Sequence, residues 1–249
     1  MGKNVIPLDN LPVVSKKNPL SRQSEEYASG SIILMDKPMH WTSFDVVAFV
    51  RNRIPPKKVG HAGTLDPLAT GLLVLCSGKA TKSISQIQEL GKVYEAKIRM
   101  GASTPSYDAA TDPDETAAWQ HIKPERIEEV LNKQFTGTIS QVPPIYSAIK
   151  VKGQRLYKAA RRGEEMQLNP RKITIQSIKI LDVSLPDITI RVHCGKGTYI
   201  RSLAHDLGIV LGSRAFLSGL RRTEIGHFRV EEACLPEDFN RFKESPNYG

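Results

Sequence analysis

The amino-acid sequence predicts an α+β fold in which a mixed, mostly antiparallel central sheet is flanked by helices. Two observations carry this prediction. Residues 188–194 alternate between apolar and polar side chains, and a short Leu-Pro-Asp connection joins them to the apolar stretch 173–183, which is typical of neighbouring strands. Apolar residues at helical spacing follow, over residues 200–211. The chain has 249 residues, 40% of them hydrophobic, which is enough for a substantial core.

Local signals predict the elements of the first half of the chain. Residues 1–30 are polar and mixed, which predicts a mobile or loosely attached arm. Ser43 has a helix-capping side chain and precedes valines that share one side of a helix. The elements expected are a strand at 31–35, a helix from Ser43 to about Asn52, a buried strand at 71–76, a helix at 80–90 and a strand at 92–100.

The second half begins with a long polar loop over residues 103–122. A helix is expected to start at Pro124, because proline suits the first helical position. Thr198 is expected to cap another helix after the glycine-rich break at 195–197. The remaining elements expected are strands at 173–183, 188–194, 215–224 and 228–230, and a short helix at 236–243.

Composition restricts the class of protein. The formal net charge of +9 suggests a polyanionic partner, but such a charge can also serve only to keep the protein soluble. Composition alone does not decide between these two explanations. No apolar run approaches the roughly 20 residues that span a membrane, and the N-terminus lacks an apolar signal core, so a cytoplasmic protein is expected. The three cysteines are far apart and the histidines are scattered, which predicts neither disulfides nor a metal site. Cys76 and Cys194 lie in apolar, strand-like runs and are expected to be buried.

The segment with the strongest functional signal is residues 60–71, GHAGTLDPLATG. It places one carboxylate, Asp66, in a loop of small residues, five positions after His61. An aspartate before proline is usually a turn former, so the pattern alone does not establish a catalytic role. A loop of this kind does let a base or sugar approach the backbone closely and holds one acid in place.

A second segment, residues 195–201, joins a strand to a helix through two glycines. The unpaired N–H groups at a helix start suit a phosphate, although the spacing is not that of a P-loop. Arg201 falls in the first helical turn, where the helix dipole disfavours a cation. This position indicates that Arg201 meets a carboxylate or a phosphate; the alternative is a solvated arginine.

A third segment, between Tyr146 and Gly163, contains six cations and no acid, with tyrosines interleaved. Cations for phosphates and aromatic rings for unstacked bases are typical of RNA recognition, and the alternative is a solvated helical face. The residues expected to bind RNA are Tyr146, Lys150, Arg155, Lys158, Arg161 and Arg162.

Together, these segments resemble the TruB-type tRNA pseudouridine-55 synthases. The matching segments run in order along about residues 31–230, at 34–38, 60–71, 78–82, 92–94, 144–148, 195–201 and 219–222. The resemblance implies a pseudouridine synthase-like fold with a catalytic domain at 31–230. It also implies that the basic stretch at about 142–168 is an insertion that grips RNA.

The resemblance implies an isomerase that converts the uridine at position 55 in the T arm of tRNA to pseudouridine, with no metal or other cofactor. Asp66 matches the catalytic aspartate, which either attacks the sugar at C1′ or removes the C2′ proton. Tyr94 matches the base-stacking tyrosine and Arg201 the arginine partner of the aspartate. His61 matches a histidine that takes part in splaying the RNA loop. The positions that line or support the pocket are Lys37, Lys82, Tyr199 and Leu220.

The chain departs from the family pattern at its C-terminal end. Many bacterial members carry a further RNA-binding module of the PUA type, whereas residues 231–249 predict only a short, net acidic tail without a full module of that type. Affinity for tRNA is then expected to rest on the catalytic domain and its insertion. Residues 1–30 also lie outside the match. A monomer that binds the T-arm stem-loop of tRNA and no membrane is expected.

Two other functions fit parts of the same pattern. A nucleobase glycosylase also uses a carboxylate beside a flipped base, but it releases free uracil. A non-catalytic factor that binds tRNA and helps it fold would use the same surface without isomerising the base.

Overall fold

The computed structural model describes residues 5–21, 23–55, 57–146, 150–151, 154–155 and 168–241. The chain divides into two compact units, Met1–Val93 with Arg221–Gly249 and Tyr94–Leu220. The strands are β1 (Val13–Val14), β2 (Ile32–Lys37), β3 (Val59–His61), β4 (Thr70–Ser77), β5 (Lys92–Met100), β6 (Ala102–Ser103), β7 (Glu115–Thr116), β8 (Gly137–Gln141), β9 (Lys150–Val151), β10 (Gln154–Arg155), β11 (Arg171–Ser184), β12 (Asp187–Cys194), β13 (Ala215–Ile225) and β14 (Phe228–Arg229). The α-helices are α1 (Glu26–Ser29), α2 (Ser43–Arg51), α3 (Ile84–Glu89), α4 (Pro124–Gln134), α5 (Ile200–Val210) and α6 (Pro236–Arg241), and 3-10 helices occupy Leu8–Asn10, Gly78–Ser83 and Val230–Glu232.

In the first unit, the strand order is β1-β2-β4-β13, with β3 also paired to β4 and β14 to β13. β2 runs antiparallel to β4 along one edge. The other edge of β4 is shared, because β3 pairs with its second half and β13 pairs in parallel with its first two residues, Thr70 and Gly71. The connection from β3 to β4, residues 62–69, therefore lies between β3 and β13. This connection carries Asp66.

Both faces of this sheet are covered, which explains the uninterrupted apolar run of β4. Alternate residues of β2 and β4 enter two separate apolar clusters, one containing Leu72 and Val74 and the other Leu73 and Leu75. All four side chains are fully buried. The strand that leads away from the Asp66 connection is thus held by packing on both faces.

Residues 5–21 and 23–30 differ from the mobile or loosely attached arm that the composition predicts. Leu11, Val14 and Tyr27 are buried, and β1 pairs in parallel with β2. The mainly polar composition gave no sign of this packing, because the apolar side chains that attach the segment to the core are few and widely spaced along the chain.

In the second unit, the strand order is β13-β5-β12-β11-β8. β11 and β12 are antiparallel neighbours, as are β11 and β8. α4 and α5 contribute their apolar faces to the core of this unit. The predicted α+β class and the mixed sheet are therefore confirmed, as are the strand at 92–100 and the start of a helix at Pro124.

The alternation predicted for 188–194 is also confirmed. Ile188, Ile190, Val192 and Cys194 are buried, with no more than 1% of each exposed. Cys76 is buried as well, and all three cysteines are free. No helix in the described part of the chain is long and apolar enough to cross a membrane.

Candidate active site

The connection that carries Asp66 is closed by a tight turn. The amide of Ala69 donates to the carbonyl oxygen of Asp66 at 3.0 Å. Pro67 occupies the second position of this turn, where its fixed φ angle is favourable. Asp66 itself is partly buried. The turn fixes the backbone from which the carboxylate projects.

Ser43 holds this connection from the side of α2. Its hydroxyl oxygen accepts from the Leu65 amide at 2.9 Å and its hydroxyl donates to the Leu65 carbonyl at 3.0 Å. The prediction that Ser43 caps the helix was wrong, because Thr42 occupies the N-cap and forms a reciprocal capping box with Asp45. Ser43 is instead the first helical residue. Because its side chain does not cap the helix, it can bind the residue before Asp66.

Lys37 holds the connection from the side of β2. The side chain is fully buried, and its ammonium donates to the carbonyl oxygens of Trp41 at 2.6 Å, Pro38 at 2.9 Å and Pro67 at 3.2 Å. Burial lowers the pKa of Lys37 to about 8, although the carboxylate of Asp66 acts in the opposite direction. Lys37 thus binds the turn after Asp66 and presents a positive charge to its carboxylate.

The pH dependence of stability tests the state of Lys37. The folded-state pKa lies below its ordinary value of 10.5, so between about pH 8 and 10.5 the unfolded chain holds more protons than the folded chain. Stability contributed by Lys37 must therefore rise with pH in this window. We expect the free energy of unfolding of the wild type, relative to Lys37→Met, to increase from pH 8 to 10.5 in urea titrations. Lys79→Met, at an exposed position, is the matched control, and equal pH slopes for wild type and Lys37→Met would contradict the assignment.

Arg222 holds the connection from the side of β13. Only 1% of this residue is exposed, and its guanidinium donates to the Leu72 carbonyl at 2.8 Å and to the Gly63 carbonyl at 3.2 Å. Gly71 permits the Arg222 backbone to lie close to β4. Its φ is +101°, and a Cβ there would meet the Arg222 carbonyl oxygen at 2.3 Å. The resemblance included Arg222 only as part of a matching segment, and its role as an anchor is visible in the structure alone.

His61 ends β3, immediately before the connection. Its ring is half-buried, and the Nδ1 atom is buried with no hydrogen-bond partner among the residues that the structure describes. Burial, together with the positive charge of Arg222, lowers the pKa of His61, so its ring stays neutral at physiological pH. The Phe44 ring packs edge-on against it, with centroids 5.5 Å apart and an interplanar angle of 86°.

Lys82 is not one of these anchors. It is exposed on the 3-10 helix Gly78–Ser83, and its ammonium forms no hydrogen bond or ion pair with the residues that the structure describes.

The second unit carries Arg201 on the first turn of α5. Arg201 is 6% exposed, and its guanidinium donates to the Ser106 carbonyl at 3.1 Å and twice to the Tyr146 carbonyl, both at 3.1 Å. Its Nε atom lies 3.7 Å from Oδ2 of Asp108. Arg201 thus meets a carboxylate, as its position in the first helical turn indicated.

Asp108 is a residue that the sequence-based site missed. It is 7% exposed, and its Oδ1 atom accepts from the Ser106 hydroxyl at 2.6 Å and from the Ala110 amide at 3.0 Å. Asp108 falls in the polar stretch 103–122, which looked like an ordinary loop. The sequence signal that could have led to Asp108 is the expectation that Arg201 meets a carboxylate.

Tyr199, rather than Thr198, occupies the N-cap of α5. The Thr198 hydroxyl instead donates to the Gly195 carbonyl at 3.1 Å and closes the glycine-rich turn. The side chain of Gln141 binds the Tyr199 backbone twice, accepting from its amide at 2.8 Å and donating to its carbonyl at 3.0 Å. A side chain from β8 therefore replaces the predicted cap.

Tyr94 and Leu220 are half-buried residues of β5 and β13. Both pack against the edge of the second unit's core. Ala96 and Ile98 of β5 are fully buried, and Tyr94 lies at the more accessible end of the same strand face.

The basic insertion is described only in part. Lys150 and Arg155 belong to the two-stranded sheet of β9 and β10, where they are paired. Tyr146 is half-buried and binds Arg201 through its carbonyl oxygen. Lys158, Arg161 and Arg162 lie outside the described residues. Within the described ranges, no three His, Cys, Asp or Glu side chains cluster as metal ligands would.

A family model described as TruB family pseudouridylate synthase (N terminal domain) matches residues 51–200. A relative in Flavobacterium johnsoniae, tRNA pseudouridine synthase B, is 49% identical over 228 residues, which are 89% of this chain and 98% of the relative. A protein of the same name in Parabacteroides distasonis is 46% identical over 225 residues, 88% of this chain and 95% of the relative.

Among solved structures, the crystal structure of an archaeal box H/ACA sRNP Nop10-Cbf5 complex contains a similar chain. The TM-score is 0.64 and the sequence identity 27%, over 87% of this chain. The match spans 54% of that chain, about half its length.

Proposed function

The chain belongs to the TruB family of pseudouridylate synthases, and from this membership we propose that it converts the uridine at position 55 in the T arm of tRNA to pseudouridine. The observation that supports a catalytic role for Asp66 is the way its loop is anchored. Ser43 binds the residue before Asp66, Lys37 binds the residue after it, and Arg222 binds the start of the connection.

These anchors suit a catalyst because they remove freedom from the reacting group before substrate binds. A carboxylate held on a rigid loop needs no reordering to reach a sugar carbon. The Lys37 ammonium interacts favourably with the Asp66 carboxylate, which favours the ionised form that a nucleophile or base requires.

The proposed reaction is an isomerisation, so the product has the same atomic composition as the uridine. The bond between uracil N1 and ribose C1′ breaks, the uracil turns while it is held, and a bond forms between C5 and C1′. The proton on C5 leaves and N1 gains one. Asp66 starts the sequence either by attacking C1′, with the resulting bond to C1′ broken when C5 attaches, or by removing the C2′ proton to give a glycal, with that proton returned to C2′ when C5 attaches.

Tyr94 and Arg201 are proposed to act on the same uridine, on the basis of the family pattern. Tyr94 would stack on the uracil and assist loss of the C5 proton, and its half-buried ring at the end of β5 suits a base-stacking role. Arg201 would be the partner of the aspartate. Its buried guanidinium is already oriented by two backbone carbonyls and Asp108.

The remaining residues are proposed to bind the RNA. His61 would occupy the splayed loop, and its neutral ring is suited to stacking. Lys37, Lys82, Tyr199 and Leu220 would line or support the pocket. The cations of the insertion would contact phosphates of the T arm, with Tyr146 beside them: Lys150, Arg155, Lys158, Arg161 and Arg162.

A T-arm stem-loop RNA provides the direct test. We expect the full chain to form one pseudouridine, at position 55, and to release no uracil, because the base stays in the pocket throughout. Mass spectrometry of nuclease digests locates the modified nucleotide, and chromatography of the supernatant measures free base. A stem-loop with cytidine at position 55 is the matched control.

Each other outcome of this assay identifies a different function. Free uracil would indicate a glycosylase, and pseudouridine at another position would contradict the T-arm assignment. Binding without any change in the RNA would favour the non-catalytic folding factor.

A further inference from the structure

Phe44 is an aromatic residue that the proposed reaction has not used. Its side chain belongs to the first turn of α2 and is 67% exposed. The apolar face of α2 is formed by Val46, Val47 and Val50, which are buried, so the core does not require Phe44. A single exposed apolar residue is ordinary on a protein surface. The position of Phe44 relative to two site residues is what distinguishes it.

The first of these residues is His61. The Phe44 ring packs edge-on against the imidazole, with centroids 5.5 Å apart. An edge-on contact places the rim of one ring against one face of the other, so His61 leaves at least one face of the phenyl group uncovered. The two rings therefore form one aromatic corner, in which His61 is half-buried and Phe44 projects into solvent.

The second residue is Asp66, to which Phe44 is tied through the backbone. Phe44 follows Ser43, and Ser43 is bound through both its hydroxyl hydrogen and its oxygen to Leu65, the residue before Asp66. The Thr42 capping box fixes the same helix end. The backbone that carries Phe44 is therefore linked by hydrogen bonds to the backbone next to Asp66.

Open aromatic faces beside a site that acts on nucleotides are platforms for unpaired bases, because every base has a π-face to stack. Target uridines in an RNA loop lie among such bases. Resting on the proposed function, we propose that Phe44 stacks on an unpaired nucleobase of the substrate RNA next to the uridine that is isomerised. It extends the surface of His61 and positions the RNA, without touching the reacting atoms.

The occupant is assigned as a nucleobase because the surroundings favour RNA. The chain has a formal net charge of +9, and the rigid link from Phe44 leads to the loop on which the RNA is isomerised. A phosphate would gain nothing from an uncharged aromatic face, and a ribose has no flat π-face to stack on it. The ring therefore recognises the base and not the backbone of the RNA.

A mutant cycle tests this assignment. In the full chain, Phe44→Ala should raise the Kd for a T-arm stem-loop about 10-fold, whereas Phe44→Trp should hold it near the wild-type value because the platform is kept. Met39→Ala is the control, since Met39 is 51% exposed in the same unit but has no ring. Thermal unfolding should be unchanged in all three variants.

The second axis of the cycle is the RNA. Each unpaired nucleotide near position 55 is replaced in turn by an abasic one. At one position the Phe44→Ala penalty should disappear, because the stacked base is already missing. An Ala variant that binds as tightly as wild type would overturn the proposal, as would a penalty that persists at every abasic position or is equal for Ala and Trp.

These results are separable from the proposed function. Conversion of the intact stem-loop by wild type tests the reaction, and the comparison between variants tests Phe44. A wild type that forms pseudouridine while Phe44→Ala binds normally would overturn the stacking role alone. A wild type that makes no pseudouridine but shows the coupled loss would overturn the reaction and support the stacking role.

Discussion

Asp66→Asn is expected to lower the rate of pseudouridine formation by at least about 10⁴-fold while T-arm RNA still binds. An amide has nearly the shape of the carboxylate but neither attacks C1′ nor accepts the C2′ proton. The turn should survive, because it is closed by the Asp66 carbonyl and not by its side chain. Single-turnover assays with saturating enzyme measure the chemical step, and filter binding measures the RNA affinity.

Asp112→Asn is the matched control, since it makes the same change at an exposed aspartate. It should leave the rate unchanged. Wild-type conversion by Asp66→Asn would remove Asp66 from the chemistry. A rate loss that is matched by an equal loss of RNA affinity would assign Asp66 to binding instead.

Arg201→Met is expected to cost about 3 kcal/mol of the free energy of unfolding, because it leaves the Asp108 charge buried and unpaired. The Ser106 and Tyr146 carbonyl oxygens lose their donor as well. Arg201→Lys should recover only part of this loss, since one ammonium does not reproduce the planar fork of the guanidinium. Urea titration of each variant gives the values.

The double variant Arg201→Met with Asp108→Asn separates the two roles of this arginine. Stability should return in part, because the neutral amide no longer needs a cation. Pseudouridine formation should remain low, because the proposed partner of Asp66 is still missing. A single Arg201→Met variant as stable as wild type would show that the contacts of Arg201 with Asp108 and the two carbonyls contribute nothing to folding.

Some features of this protein follow from neighbouring residues in the chain and were predictable for that reason. The alternation in β12, the strand at 92–100 and the start of α4 at Pro124 depend on local spacing and backbone preference. The Asp66 loop was recognisable because its glycines and its acid lie within one short segment. The resemblance to the family rests on the order of such segments.

Local reasoning was wrong where two plausible residues competed. Thr42 and Ser43 are both residue types that cap helices. Thr42 is the N-cap because Asp45 completes its capping box, whereas the Ser43 hydroxyl binds Leu65. The N-cap of α5 is Tyr199 and not Thr198. The Tyr199 backbone is bound by Gln141, which lies in a strand 58 residues away in sequence. A partner so distant in sequence is invisible to spacing.

The candidate catalyst could be identified from the sequence, because one acid in a glycine-rich turn is a local pattern. Its surroundings could not be identified in this way. The anchors come from β2, α2 and β13, and two of them, Lys37 and Arg222, are far apart in the sequence. The same is true of the Arg201–Asp108 pair and of the aromatic corner at Phe44. Hydrogen bonds and ring contacts depend on distances of a few ångströms in space, and folding alone sets those distances for residues that are remote along the chain.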